Sequence, residues 1–171
     1  MISLRPAEPQ DFAVIRAVLL SAFATPLEAD LVEALRAEGS VVLELVAEND
    51  DGVIGHILYS ELPLEAASRT VRGAALAPMA VHAAHQRRGI GGALIHMSLP
   101  MLAHEGVEAV VVLGHADYYP RFGFAASLAA RLDTPFTGPH LMALELAPGS
   151  IEGLDARPRY ARAFGLRTVA R

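Results

Sequence analysis

One stretch of the chain concentrates residue types that can hold an anion: Val81-His82-Ala83-Ala84-His85-Gln86-Arg87-Arg88-Gly89-Ile90-Gly91-Gly92-Ala93. An apolar run leads into glycines that open a helix. At such a start successive backbone N–H groups are unpaired, the glycines permit close approach, and the helix dipole favours a pyrophosphate. Arg87 and Arg88 add positive charge at the rim. The spacing is not Gly-x-Gly-x-x-Gly, and a phosphate-binding loop would need a lysine, so a dinucleotide fold and a nucleoside triphosphatase are disfavoured. The same glycines would also let the helix pack tightly on the strand, and these residues alone leave both uses open.

The remaining polar candidates read as structural. His82 and His85 suggest a metal pair, but no third ligand lies at metal spacing, so no metal is expected. His56, on a strand, reads as a hydrogen-bonded core residue, and His96, His104 and His140 belong to no constellation. Arg157, Arg159, Arg162, Arg167 and Arg171 form an Arg-rich tail that reads as a solvated or dimer-facing surface.

Composition narrows the chemistry. The 171 residues make one domain, with a core over about residues 1–147 and a tail over 148–171. Hydrophobic residues are 53% and charged residues 19%, enough apolar material for a packed core. There is no Cys, which excludes disulfides, thiolate metal sites and a Cys nucleophile. All 14 basic residues are Arg, so Schiff-base lysine chemistry is excluded too. A net charge of -5 argues against nucleic acid as a partner. The uncharged run from Gly89 to Ala103 is too short to span a bilayer, and Met1-Ile2-Ser3-Leu4-Arg5 is no signal-peptide core. A soluble cytoplasmic protein without membrane partners is expected.

The elements that must position the glycine segment follow from periodicity. Ile2 to Arg5 predicts a short edge strand, and Phe12, Ile15, Val18, Leu19 and Phe23 a first amphipathic helix. Thr25-Pro26-Leu27-Glu28 reads as a capping box opening a second helix that Gly39 stops. Val41–Ala47 and Val53–Tyr59 predict an antiparallel hairpin turning at Asp51-Gly52. A loop is expected from Leu62 to Arg72, then a strand over Ala74–Val81 and the glycine-led helix, which Pro100 should kink or end. Val107–Leu113 and Leu141–Leu146 predict strands, Asp117–Phe122 a helical turn, and Phe124–Leu132 a weak strand. The order is mixed α/β with one clear strand–helix–strand unit over Ala74–Leu113.

Gln86-Arg87-Arg88-Gly89-Ile90-Gly91 after an apolar strand resembles the Q/R-x-x-G-x-G/A motif of the GNAT-type N-acetyltransferases, and the element order resembles their fold. Tyr118-Tyr119-Pro120-Arg121-Phe122-Gly123-Phe124 is similar to the family's (F/Y)-Y-x-x-(F/L)-G-F segment. Leu113-Gly114-His115 and Gly55-His56-Ile57-Leu58-Tyr59-Ser60 resemble its YhbS-like branch. The resemblance covers about Ile2 to Leu146. It implies a mixed, mostly antiparallel sheet with one splayed parallel pair, flanked by helices, and acetyl-CoA in the slot between Ala74–Val81 and Val107–Leu113. The cosubstrate would be held by Val81, Ala83, Gln86, Arg87, Arg88, Gly89, Ile90, Gly91, Gly92 and Ala93, with the pyrophosphate on the amides of Arg87 to Gly92. Val81 and Ala83 main-chain groups would pair with the pantetheine arm.

Tyr119 matches the residue that family members use as general acid toward the departing thiolate, with Tyr118 as the alternative. The activity implied is direct transfer of an acetyl group to the primary amine of a small molecule or peptide. An amine must shed a proton before it attacks. Many relatives carry a Glu on the strand before the glycine motif, but Gly73 to Val81 has no ionisable residue. Glu61, His115, Asp117 and a water relay are left as bases, with His115 and Glu61 favoured. The missing strand carboxylate also leaves open a non-catalytic acyl-CoA-binding sensor or assembly module. Acceptor choice would rest on residues 62–72 and the first two helices, and the apolar last strand would suit a homodimer.

Overall fold

In a computed structural model the fold is described for residues 1–165. The strands are β1 (Ser3–Pro6), β2 (Val41–Asn49), β3 (Gly52–Ala66), β4 (Thr70–Val81), β5 (Ala109–Leu113), β6 (Leu141–Glu145) and β7 (Ala156–Pro158). The helices are α1 (Phe12–Ala22), α2 (Leu27–Ala37), α3 (Ile90–His104) and α4 (Ala126–Ala129). The strands form one seven-stranded sheet in the order β1-β2-β3-β4-β5-β6, with β7 paired on β3. Only β4 and β5 run parallel.

Both faces of the sheet are covered, which is why residues 53–60 are buried at every position rather than at alternate ones. Leu45, Ala47, Ile57, Tyr59 and Leu76 pack toward Leu94, Ile95 and Leu102 of α3. Val46, Leu58 and Ala80 point the other way, onto Ile15, Leu19, Val32 and Leu35 of α1 and α2. A third cluster, around Leu62, Leu64, Val71, Val111 and Ala143, lies under the segment that carries α4 and β7. No helix among the described residues is long and apolar enough to cross a membrane.

Four sequence expectations are revised. The stretch expected as a loop from Leu62 to Arg72 is strand, because Leu62, Leu64 and Val71 are fully buried while Glu61, Pro63 and Glu65 face out. The Pro63 carbonyl accepts the Arg159 N–H (2.9 Å) along the β7 edge. Pro100 does not end α3, which runs on to His104: apolar packing of Leu94, Ile95 and Leu102 on the sheet holds the helix on either side of it. The Thr25–Glu28 capping box does not form, since α2 has no side-chain cap and Thr25 Oγ1 reaches only the Leu27 N–H at 3.5 Å. Between Phe124 and Leu132 there are isolated bridges, Ala125 to Ala143 and Leu132 to Ala156, around α4 instead of a continuous strand.

The feature that shapes the site is the parting of β4 from β5. Their pairing runs from Gly73↔Ala109 to Leu76↔Val112 and stops. At that point β4 bulges against β3, since Ile57 pairs with Met79 but Tyr59 pairs with Leu76, leaving Ala77 and Pro78 opposite Leu58. A bulge bends its strand and increases local twist, and proline suits it because it has no N–H to lose from the ladder. Gly73 begins the parallel pair, and a Cβ there would sit 2.4 Å from the Leu62 carbonyl oxygen. Gly73→Ala should therefore lower the unfolding free energy by about 1–3 kcal/mol in urea titrations, the usual cost of overpacking a closed site.

Candidate active site

Where β4 and β5 part, they open a cleft of about 1000 Å³. Leu76 to Met79 and Val81 form one wall, Leu113 to His115 another, the start of α3 a third, and Phe23, Glu28 and Leu31 of the α1–α2 segment close it. The entry to α3 is built by left-handed backbone at Arg87 (φ 60) and Gly89 (φ 77). Such a conformation costs a non-glycine residue about 1 kcal/mol, so its presence at Arg87 marks a constrained turn. Ala93 N–H already donates to the Gly89 carbonyl (3.0 Å). The amides of Gly89, Ile90, Gly91 and Gly92 precede the first intrahelical donor and are free for a ligand.

The residues expected to hold the cosubstrate divide accordingly. Val81, Gln86, Arg87, Gly89, Ile90, Gly91 and Gly92 line the cleft, whereas Ala83, Arg88 and Ala93 do not. Ala93 is spent on the helix, and the Ala83 N–H donates to Ser21 Oγ of α1 at 3.3 Å. Gln86 is a strap, its Nε2 donating to the Val81 carbonyl at 3.0 Å. His82 Nδ1 accepts the Ala84 N–H at 3.2 Å, which gives that residue a turn-capping task.

The tyrosine segment faces the glycines. A 3₁₀ turn, Tyr119–Phe122, follows β5, held at its entry by the His115 carbonyl, which accepts from the N–H groups of Tyr118 (3.1 Å) and Tyr119 (3.3 Å). A Cβ on Gly91 would lie 2.9 Å from Tyr118 Oη, and one on Gly114 would lie 2.4 Å from Tyr119 Cε2. Tyr119 is buried at 8% exposure between Tyr118 and Phe124, with ring centroids 5.2 and 5.6 Å away in edge-to-face geometry. Burial pushes its phenol up to about 12, with the neighbouring Tyr118 adding to the shift. No described residue is hydrogen-bonded to its hydroxyl, so the group is free to serve something in the cleft. Tyr118 is raised in the same direction by burial, opposed by Arg121, whose guanidinium lies 5.1 Å from its ring centroid.

Of the two favoured bases, His115 lines the cleft and is exposed. Glu61 is not brought there: it is exposed on β3 opposite Ala74, its N–H donating to the Ser40 carbonyl at 2.9 Å. Asp117 is exposed and outside the lining. His56 lies in the core, bonded through Nε2 to Glu44 Oε1 at 2.7 Å; Arg36 also binds Glu44. In the tail, Arg157 pairs with Asp133 and Arg159 with Glu65, while Arg167 and Arg171 lie outside the described residues. Sequence reasoning passed over Glu28, Pro78 and Met79, which line the cleft; Glu28 was absorbed into a capping pattern that gave no hint of a cleft.

A family model for the acetyltransferase (GNAT) domain matches residues 41–126, which hold the bulged strand and both facing segments. The chain belongs to the GNAT acetyltransferase family. An Escherichia coli relative, named as the uncharacterized N-acetyltransferase YhbS, is 33% identical over 164 residues, covering 94% of this chain and 97% of the relative. The crystal structure of the GNAT protein YhbS from Escherichia coli in complex with CoA superposes with a TM-score of 0.87 at 31% identity, over 96% of this chain and 92% of that one. A Brucella melitensis GNAT acetyltransferase in complex with acetyl-CoA gives 0.77 at 32% identity, over 96% and 98%. The GNAT sheet with its single parallel pair is thus the observed architecture, and the chain is an acyltransferase of the acetyl-CoA-dependent kind.

Every one of the 4 tyrosines has its phenol raised, chiefly by burial. At about pH 10, where a free phenol is half ionised, the folded protein should show well under half the tyrosinate absorbance of the same sample unfolded in urea. Equal absorbance would mean that Tyr119 is not held in a desolvated site.

Proposed function

We propose that this GNAT protein binds acetyl-CoA and a primary amine together and passes the acetyl group directly from sulfur to nitrogen. The observation that carries the reading is that the amides of the α3 start and the buried Tyr119, whose hydroxyl is bonded to no described residue, meet in one cleft. The cradle fits the cosubstrate on its own chemistry: free N–H groups at a helix start, glycine where a side chain would collide, and Arg87 on the wall. Gly89 to Gly92 hold the pyrophosphate, Arg87 adds charge, and the Val81 main chain guides the pantetheine arm. Acetyl-CoA supplies an activated acyl thioester.

Tyr119 then acts where charge grows, at the sulfur. A phenol near 12 is a weaker acid than a thiol near about 8.5, so its main contribution is a hydrogen bond to the departing sulfur. The acceptor enters as an ammonium, loses one proton to become nucleophilic and a second as the amide forms. One of these protons ends on the thiol by way of Tyr119, and the other goes to solvent. His115, directly on the cleft wall, is the side chain suited to take up a proton, alone or through water; Glu61 lies outside the lining and is not preferred. No covalent enzyme intermediate is required, which agrees with a chain that has no Cys. A cytoplasmic enzyme acting on a small-molecule or peptide amine, alone or as a homodimer, completes the reading.

Calorimetry with acetyl-CoA, followed by thiol release against a panel of amines, tests it: binding with amine-dependent release is expected, and absence of binding refutes it. Tyr119→Phe should keep acetyl-CoA affinity within about twofold and lower turnover by about 10²-fold; unchanged turnover removes the residue from the mechanism. Gly91→Val should abolish binding, by displacing Tyr118 and covering the amides, while circular dichroism stays native. Retained affinity in that variant would mean the phosphates lie elsewhere.

A further inference from the structure

Resting on the reading above that the cleft acetylates an amine, we infer that Glu28 receives the acceptor's protonated nitrogen, and that the acceptor carries this amine on an apolar skeleton. Among the described residues, Glu28 is the only carboxylate lining the cleft. Its Oε2 is shielded from solvent and has no hydrogen-bond partner. A carboxylate oxygen withdrawn from water without a partner is costly, and the cost is relieved when a cation arrives.

Among the described residues no other carboxylate has a shielded oxygen without a partner. Asp11 is bonded by Arg5, Glu44 by Arg36 and His56, Asp30 and Glu33 by Arg16, Glu65 by Arg159, and Glu145 by three backbone N–H groups. Glu28 takes part in no ion pair among the described residues, although Arg87 and Arg121 line the same cleft. The three unpaired charges divide by the ligand each can serve: the arginines suit phosphate oxygens, and Glu28 suits a cation. The capping role that the sequence suggested for Glu28 is not taken up, which leaves its carboxylate free. The terminal torsion of a glutamate turns with little resistance, so the shielded oxygen can swing to meet an incoming donor.

The surroundings of Glu28 define the remainder of the acceptor. Phe23, at the end of α1, and Leu31, one turn after Glu28 on α2, line the cleft from the same segment and offer apolar surface. Pro78 and Met79 face the cleft from the bulged strand. An ammonium on Glu28 therefore leaves its carbon skeleton among apolar side chains, where a second charge would be unpaired. A monoamine with an aromatic or branched aliphatic body fits; a polyamine does not.

The inference is tested on the protein saturated with CoA, by calorimetry with phenethylamine, its uncharged isostere phenethyl alcohol, and spermidine. The wild-type protein should bind phenethylamine at least about tenfold more tightly than the alcohol, the range expected of a charge-assisted hydrogen bond. Glu28→Gln, which keeps size and shape, should bring the two within about twofold while leaving CoA affinity and the thermal unfolding midpoint unchanged. An amine preference that survives in Glu28→Gln, or its absence in the wild type, overturns the assignment of Glu28. Tighter binding of spermidine than of phenethylamine overturns the apolar skeleton. A Glu28-dependent preference without thiol release would leave this inference standing and sink the transfer reaction, whereas release with an amine KM unaffected by Glu28→Gln would do the reverse.

Discussion

The site exists because two parallel strands stop pairing part-way along their length. Between Leu76 and Met79 the ladder of β4 is broken on both sides at once, by the bulge against β3 and by the end of hydrogen bonding to β5. Backbone polar groups inside a domain must find partners. Here a row of them turns toward an open cleft instead of a neighbouring strand. Burial of residues 53–60 between α3 on one face and α1 and α2 on the other keeps β3 rigid behind the bulge, so the opening cannot close by collapse. The apolar packing of the sheet is therefore what keeps a polar gap in it.

The glycine segment and the tyrosine segment are separated in the chain by the length of α3 and β5, yet they form one surface. Gly91 leaves room for the Tyr118 hydroxyl and Gly114 for the ring of Tyr119. The two uses of the glycines that the residues alone left open are thus not rivals. Removing the side chains lets the aromatic segment pack against the helix start, and it also strips the amides of anything that would screen them from a ligand. The buried Tyr59 hydroxyl, 2.6 Å from Ser98 Oγ, which in turn donates to the Ile95 carbonyl, pins α3 to the sheet behind this surface. A shift of α3 would disturb the amides and the tyrosines together.

Most of this was legible because local signals and burial agreed. The hairpin at Asp51-Gly52 forms with Gly52 in the left-handed region (φ 112), and the Asn49 side chain accepts the Asp51 N–H at 2.9 Å. The apolar runs of β4 and β5 and the glycine start of α3 lie where their patterns placed them. The failures came where a strong local signal was overruled by packing. Pro63 amid Glu61, Glu65 and Arg69 looked like a loop, although Leu62, Leu64 and Val71 kept a strand's alternation. Pro100 had the same effect on α3. β7 has three residues, an arginine and a proline among them, and exists only because the edge of β3 was available to it. In the site, family resemblance drew attention to the glycine segment and Tyr119, which line one cleft, but which amides are left unpaired depends on where the first helical hydrogen bond forms. Glu28 could not be found from its neighbours in sequence at all, since its significance lies in what fails to surround it.

That absence also explains how an acidic protein is equipped for an anionic cosubstrate. A net charge of -5 repels a phosphate at long range, so recognition must be local. Several charges outside the cleft are neutralised in pairs: Arg5 with Asp11 and Glu48, Arg16 with Asp30 and Glu33, Arg131 with Asp155, Arg157 with Asp133. Exposed pairs of this kind add little stability. Their effect is to quiet the field over the surface, so that the charges left unpaired in the cleft dominate there: Arg87 and Arg121 beside the free amides of α3, and Glu28 on the wall formed by α2. On the proposed reading, charge sorting within a single cavity, rather than net charge, orients a donor that is negative at one end and an acceptor that is positive.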